Sequence, residues 1–327
     1  MEKPSLIFES PLTDAVSSVR FAPGSNNLLI SSWDCKLRLY DIDCEVLRLE
    51  ALFEDALLDC CFEDDRHAFS ATSNGSIESC DLLRGTTCSI GYHDDVATCL
   101  QYSHQTCQVI SAGLDKKLIF WDIRSARHLD LRQLAVSVHC MSLCDFNLIA
   151  SFGAKVNVFD LRNFGHPIES HDLLKGSQIN SVASSLRCNG YVVGSVDGRA
   201  AFETLDSSNS DNQGYAFRCR PKSKDSKKHP VSVNDIVFDP IVPGNFLTGD
   251  NEGYLILWNT NNRRRLFEFP RYSNTISSLS FNNSGNLLAV ATSYTYQEAN
   301  ENVDVQPQIF VEKVDKWNSG SSSSAKS

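Results

Sequence analysis

The sequence predicts an all-β protein built as a seven-bladed β-propeller. Three observations carry that reading. Short segments of strand length, rich in β-branched and aromatic residues, alternate with turns containing Asn, Asp or Gly. They recur at a common interval, with the closing residues Asp41, Asp81 and Asp122 standing 40 and 41 positions apart. And 327 residues of which 42% are hydrophobic can bury a core extended over many small sheets.

The elements follow in order. The first unit reads Leu29-Ile30-Ser31-Ser32-Trp33-Asp34-Cys35-Lys36-Leu37-Arg38-Leu39-Tyr40-Asp41. The second is Ala71-Thr72-Ser73-Asn74-Gly75-Ser76-Ile77-Glu78-Ser79-Cys80-Asp81, and the third runs from Ser111 through Gly113-Leu114-Asp115 to Phe120-Trp121-Asp122. In each, a turn residue (Asp34, Asn74, Asp115) precedes the closing Asp by seven positions. That is the period and layout of a WD repeat. A fourth unit closes on Val156-Asn157-Val158-Phe159-Asp160, a fifth spans Ser195-Val196-Asp197-Gly198-Arg199-Ala200-Ala201-Phe202-Glu203, and a sixth closes on Leu257-Trp258-Asn259. The seventh begins at Ile276-Ser277-Ser278-Leu279-Ser280-Phe281 and is lengthened by a polar insert, 297–307, before Ile309-Phe310-Val311.

Strands this short are unstable alone, and stacking four-stranded blades around a ring buries both faces of each sheet. The ring must close, and Ser5-Leu6-Ile7-Phe8-Glu9 reads as the strand that pairs with Ile309-Phe310-Val311 to complete the last blade. The propeller is thereby assigned to residues 1–314, with 206–214 as a long hairpin loop and 315–327 as a disordered Ser-rich tail.

Composition narrows the function. A formal charge of −10 disfavours the whole molecule as a nucleic-acid binder. No signal-peptide pattern opens the sequence, and no apolar run approaches membrane-spanning length, so no membrane partner is expected. The twelve cysteines contain no Cys-x-x-Cys pair and read as ordinary buried thiols of a reducing compartment, cytosol or nucleus. No nucleophile elbow, metal-ligand helix or phosphate-cradling glycine loop is present, so no enzyme, metal or cofactor is expected. His93-Asp94 precedes the third unit and reads as a brace for a turn; Asp64-Asp65 and Asp94-Asp95 read as solvated connections.

What remains is surface. Turns between the second and third strands of each blade share one face of a propeller with the blade-to-blade connections. Trp33 lies at such a turn, either as half-buried packing or as an aromatic anchor for a peptide. Arg199 follows the turn Asp197-Gly198, and Arg218 lies on Tyr215-Ala216-Phe217-Arg218-Cys219. If those strands pair, two guanidinium forks converge on one phosphate or carboxylate. The basic residues Arg220, Lys222, Lys224, Lys227 and Lys228 read as a solvated loop or an aid to phosphopeptide capture, and Arg263-Arg264-Arg265 as a solvated turn.

From about residue 12 to 296 these segments resemble the mitotic spindle-checkpoint WD-repeat family, the Bub-type ("budding uninhibited by benzimidazoles") kinetochore adaptors, and more distantly their messenger-RNA-export sister. The resemblance is carried by Val16-Ser17-Ser18-Val19-Arg20-Phe21-Ala22-Pro23, Ser31-Ser32-Trp33-Asp34, Ser195-Val196-Asp197-Gly198-Arg199 and Tyr215-Ala216-Phe217-Arg218-Cys219. Arg265-Leu266-Phe267-Glu268-Phe269-Pro270-Arg271-Tyr272 and Ser293-Tyr294-Thr295-Tyr296 look like the checkpoint branch. The resemblance implies a non-enzymatic scaffold of the spindle assembly checkpoint, in nucleus and cytoplasm and on kinetochores in mitosis. Its implied partners are phosphorylated Met-Glu-Leu-Thr-type repeats of a kinetochore scaffold, with Arg199 and Arg218 touching the phosphopeptide, and a segment of a checkpoint kinase or kinase-like protein, with Trp33 as rim anchor.

Three departures bear on those expectations. Gly113-Leu114-Asp115 stands where the family has Ser-Trp-Asp, Asn180 where it has an Arg, and Arg220-Pro221 shifts its basic pair. Loss of an aromatic anchor and an acid-pairing Arg weakens the kinase-segment site; losing one such buried charge partner costs about 2–5 kcal/mol of binding. Two other functions fit part of the sequence. Trp121-Asp122-Ile123-Arg124 matches the Trp-Asp-x-Arg pattern of cullin–RING ubiquitin-ligase substrate receptors, through Trp121, Asp122 and Arg124. The sister branch implies an mRNA-export propeller with a nucleoporin or RNA partner.

Overall fold

The computed structural model describes residues 6, 11–123, 127–205, 214–219, 231–295 and 305–314. Their strands form seven antiparallel sheets in chain order, six of four strands and a last of three. Each sheet is a meander, its strands paired in sequence order. The first strands, from Val16–Phe21 in blade 1 to Ile276–Phe281 in blade 7, pack against one another around the centre. Blade 1 packs against blade 7, closing a seven-bladed WD-repeat propeller. In the closing blade the Leu6 amide donates to the Ile309 carbonyl at 2.7 Å, and the Leu6 side chain packs into the core between blades 7 and 1. The rest of the expected closing strand lies outside the described residues, as do 206–213, 296–304 and 315–327.

Alternation along the strands explains the packing. In blade 1, Leu28 and Ile30 face the core shared with blade 7, while Leu29, Leu37 and Leu39 face the core shared with blade 2. The same two-sided burial repeats around the ring, giving seven apolar clusters, one at each blade-to-blade junction. A strand buried on both faces shows little alternation of polarity, as in Leu28-Leu29-Ile30 and Val192-Val193.

The inner strands present one unpaired edge to the channel, and buried backbone groups require partners. Here side chains of the adjacent blade supply them. The Asp59 carboxylate accepts the Leu100 amide (3.1 Å), Thr98 donates to the Val138 carbonyl (2.9 Å), and Ser142 accepts the Ser184 amide (3.1 Å). Asn180 donates to the Val233 carbonyl (3.2 Å), Asp235 accepts the Leu279 amide (2.7 Å), and Ser278 accepts the Val19 amide (3.2 Å). Arg20 closes the circle onto Asp59 at 3.6 Å. Burial pushes the Asp235 carboxyl above its usual range, opposed by the Arg20 charge.

Two expectations change in detail. All twelve cysteines are free thiols, but only six are buried; Cys44, Cys88 and Cys107 are exposed. Asp65 also does more than solvate a connection, because it accepts the Gly24 amide and the Ser25 hydroxyl of blade 1, each at 3.2 Å.

Candidate functional site

The turns between second and third strands emerge with the blade-to-blade connections on one face, the upper face. In blade 3 the turn is held by a buried chain of polar groups. The Trp121 indole N–H donates to the Ser111 hydroxyl (2.8 Å), which lies 2.7 Å from His93 Nε2. His93 Nδ1 lies 3.0 Å from the Asp115 carboxylate, which also accepts the Lys117 amide (3.0 Å). The Nδ1 proton points to Asp115, and Ser111, which accepts from Trp121, can give its own proton to Nε2 when the ring is neutral. Burial drives the His93 pKa down, outweighing the Asp115 charge that raises it. His93 therefore braces a turn, and Trp121 is interior. Asp122 ends its strand half-buried, and Arg124, the remaining member of the expected ligase contact, lies outside the described residues.

Blade 1 solves the same turn differently. Its Asp34 carboxylate takes both ends of the Arg38 guanidinium, at 3.1 and 2.7 Å, while Arg38 Nε donates to Glu50 at 3.0 Å. Arg38 is fully buried. This pairing fixes the turn that carries Trp33, a residue 37% exposed and so open to act as an aromatic anchor. Leu114 occupies the matching place in blade 3: the Leu114 amide donates to Val96 as the Trp33 amide donates to Ala15, both at 2.9 Å. The departure at Leu114 thus removes a ring while keeping the turn.

Blade 5 carries the arginine pair. Arg199 opens the third strand, Arg199–Thr204, and Arg218 ends the fourth, Tyr215–Arg218; the two are direct cross-strand partners. Gly198 has φ +77, and a Cβ there would lie 2.3 Å from the Val231 carbonyl oxygen, so the turn before Arg199 needs glycine. Strand alternation then aims the outer residues. Tyr215, Phe217 and Cys219 face the core between blades 5 and 6, where Phe217 packs on Trp258 at 4.6 Å between ring centroids. Ala216 and Arg218 face solvent. Burial pushes the Cys219 thiol up to about 12, so it takes no part as a nucleophile near neutral pH. Asp197 binds both arginines, its carboxylate accepting from Arg199 Nε (2.7 Å) and its carbonyl from Arg218 Nη1 (2.8 Å). Burial raises the Asp197 carboxyl, but hydrogen bonds from Ser195, Ser177 and Arg199 outweigh it and hold the pKa below the usual range.

The structure brings Arg199 and Arg218 together but leaves Trp33 apart. Trp33 is in blade 1, separated from blade 5 by blades 6 and 7. The upper face therefore offers two separate corners. Asn180, expected at a diminished kinase-segment site, sits at a bulge of the inner strand Ile179–Ser185 and bonds across to blade 6. The basic residues from Arg220 to Lys228 lie outside the described residues. Sequence reasoning missed Arg38; its signal was a charge inside a strand otherwise apolar on both faces.

The ring, its turn braces and its exposed upper corners define a WD-repeat propeller, a class that presents binding surfaces. The family model "WD domain, G-beta repeat" matches residues 2–41 and 86–122. The chain is 45% identical to mitotic checkpoint protein BUB3.3 of Arabidopsis thaliana, over 94% of this chain and 98% of that one. It is 36% identical to BUB3.1 of the same plant, over 94% and 92%, and 28% identical to a poly(A)+ RNA export protein of Schizosaccharomyces pombe, over 88% and 84%. The chain belongs to the Bub-type mitotic checkpoint family of WD-repeat proteins. Among solved structures, the RRP9 WD40 repeats superpose with a TM-score of 0.80 at 14% identity, covering 95% of this chain and 96% of that one, which shows the shared fold.

Proposed function

We propose that this chain is a non-enzymatic adaptor of the spindle assembly checkpoint that reads a phosphorylated segment of a kinetochore scaffold through Arg199 and Arg218. The observation that carries the reading is the direct pairing of these two residues across adjacent strands. Like charges placed opposite each other are unfavourable, and Asp197 offers only one carboxylate between them. A phosphoryl group brings nearly two negative charges and three acceptor oxygens, which suits two guanidinium forks. The recruited partner, a segment of a checkpoint kinase or kinase-like protein, lies at the blade 1 corner around Trp33. Leu114, which lacks the ring of the family's second anchor, makes that second contact weaker or directs it to a divergent segment. The protein works in nucleus and cytoplasm and reaches kinetochores in mitosis.

Titration calorimetry with a Met-Glu-Leu-Thr-type peptide tests the reading. The phosphorylated form binds, the unphosphorylated form does not, and the R199A/R218A double variant loses the difference. Equal affinity for the two forms sinks it. In dividing cells, a double variant that still marks kinetochores would show that recruitment uses another surface.

A further inference from the structure

In blades 1 to 6 the fourth strand ends the sheet, and its outer edge carries backbone N–H and C=O groups with which another strand can pair. Charged side chains guard such an edge. Five of these six strands carry them, from Arg48 and Glu50 in blade 1 to Arg264, Arg265 and Glu268 in blade 6. Blade 2 carries none: its fourth strand reads Thr86-Thr87-Cys88-Ser89-Ile90-Gly91-Tyr92. Thr86 to Ser89 are all exposed and pair in unbroken register with Asp81 to Glu78, the bulge falling beyond them at Ile90. Among the described residues no strand pairs with their outer side. The edge also has an apolar residue at each end. Leu83, in the turn below it, is 72% exposed, and Tyr92, at its top, is 63% exposed.

We propose that this edge pairs with the same edge of a second copy of the chain, antiparallel about a twofold axis near Thr87 and Cys88, joining two blades into one eight-stranded sheet. The occupant follows from the edge itself. A strand carrying Arg, Asp or Glu would lay an unmatched charge along an uncharged run, whereas a second copy brings the same uncharged residues over the same length. Antiparallel pairing sets the lower end of one strand beside the upper end of the other. Leu83 of each copy therefore meets Tyr92 of the other, and both contacts remove apolar surface from water. The pairing is isologous and closes on itself, which stops growth at two copies. Fourth strands run from the lower face to the upper, so one propeller of the pair is inverted. The two upper faces then look opposite ways and neither is covered, which leaves the dimer able to hold one partner on each side.

Sedimentation velocity on the full chain over a range of concentrations tests the proposal, with Thr87→Lys and Thr87→Glu as exposed substitutions that leave circular dichroism unchanged. The wild type passes from monomer to dimer. Each variant alone sets like charges near each other across the axis and weakens dimerisation about fivefold. An equimolar mixture of the two sets Lys near Glu and restores the dimer, which only a pairing of like edges produces. Ser89→Lys, two residues along the same face, reproduces the loss. Four outcomes overturn the proposal: a monomer up to the solubility limit, a dimer indifferent to all three substitutions, a mixture no tighter than either variant, or mass that keeps growing beyond two copies. Phosphopeptide binding at Arg199 and Arg218, measured on the Thr87→Lys protein, stays intact, so the dimer and the phosphopeptide site stand or fall separately.

Discussion

Arg38 and Asp34 form a bidentate ion pair with side chains 0% and 4% exposed, and this pair holds the turn that presents Trp33. Removing one partner of a buried pair strands the other charge. Arg38→Ala therefore lowers unfolding free energy by about 3–5 kcal/mol, and Arg38→Lys rescues only part of it because an ammonium cannot reproduce the fork. Urea denaturation measures the loss. A variant as stable as the wild type would show that the pair contributes nothing.

His93 makes stability depend on pH. Its folded pKa lies below the ordinary value of 6.5, because burial disfavours the charged ring. The unfolded chain thus takes up the proton more readily, and stability is full above about 6.5 and falls as the solution is acidified below it. His93→Gln lacks this titration. Urea midpoints measured between about pH 7 and 5 fall for the wild type and stay flatter for the variant. Parallel curves would mean another group controls the slope.

Arg218 separates binding from folding. Its side chain is exposed and faces Arg199 across the strand pair, so Arg218→Ala changes stability by no more than about 0.5 kcal/mol. Phosphopeptide affinity falls by about tenfold to a hundredfold in the same variant. A matched loss of melting temperature would recast Arg218 as a structural residue.

Leu114 offers a gain of function. It shares the backbone geometry of Trp33, so Leu114→Trp adds an aromatic anchor without reshaping the turn. The expected outcome is about a tenfold gain in affinity for the kinase segment, read by calorimetry with a family-type peptide. No gain would place that segment elsewhere.

The blades were legible because a strand of five or six residues must repeat its turn chemistry wherever it reverses, and Asp34, Asn74 and Asp115 recur at that point. The arginine pair was legible too, since Asp197-Gly198-Arg199 fixes a turn and the Tyr-x-Phe-x-Cys alternation fixes which residues face out. Arg38 and the Arg20–Asp59–Asp235 set were not. Arg38 showed only as a charge inside an apolar strand, four positions from Asp34, while Arg20, Asp59 and Asp235 meet across blades 1, 2 and 6, where no local pattern announces the meeting. Asn180 shows the same limit: one letter could not tell a ligand contact from a bond to the next blade.

Those bonds from blade to blade give the inner strands a property that a linear stack of repeats lacks. An amide such as Leu100, Leu279 or Val19 is held by a side chain belonging to a different sheet. Exposing it to solvent exchange requires two sheets to part, and in a closed circle no sheet can part from one neighbour without straining the other. The blades thus share one opening free energy at the centre while their outer strands and turns fluctuate independently. A partner gripping a corner of the rim meets a local, adjustable surface mounted on a hub that opens all at once or not at all.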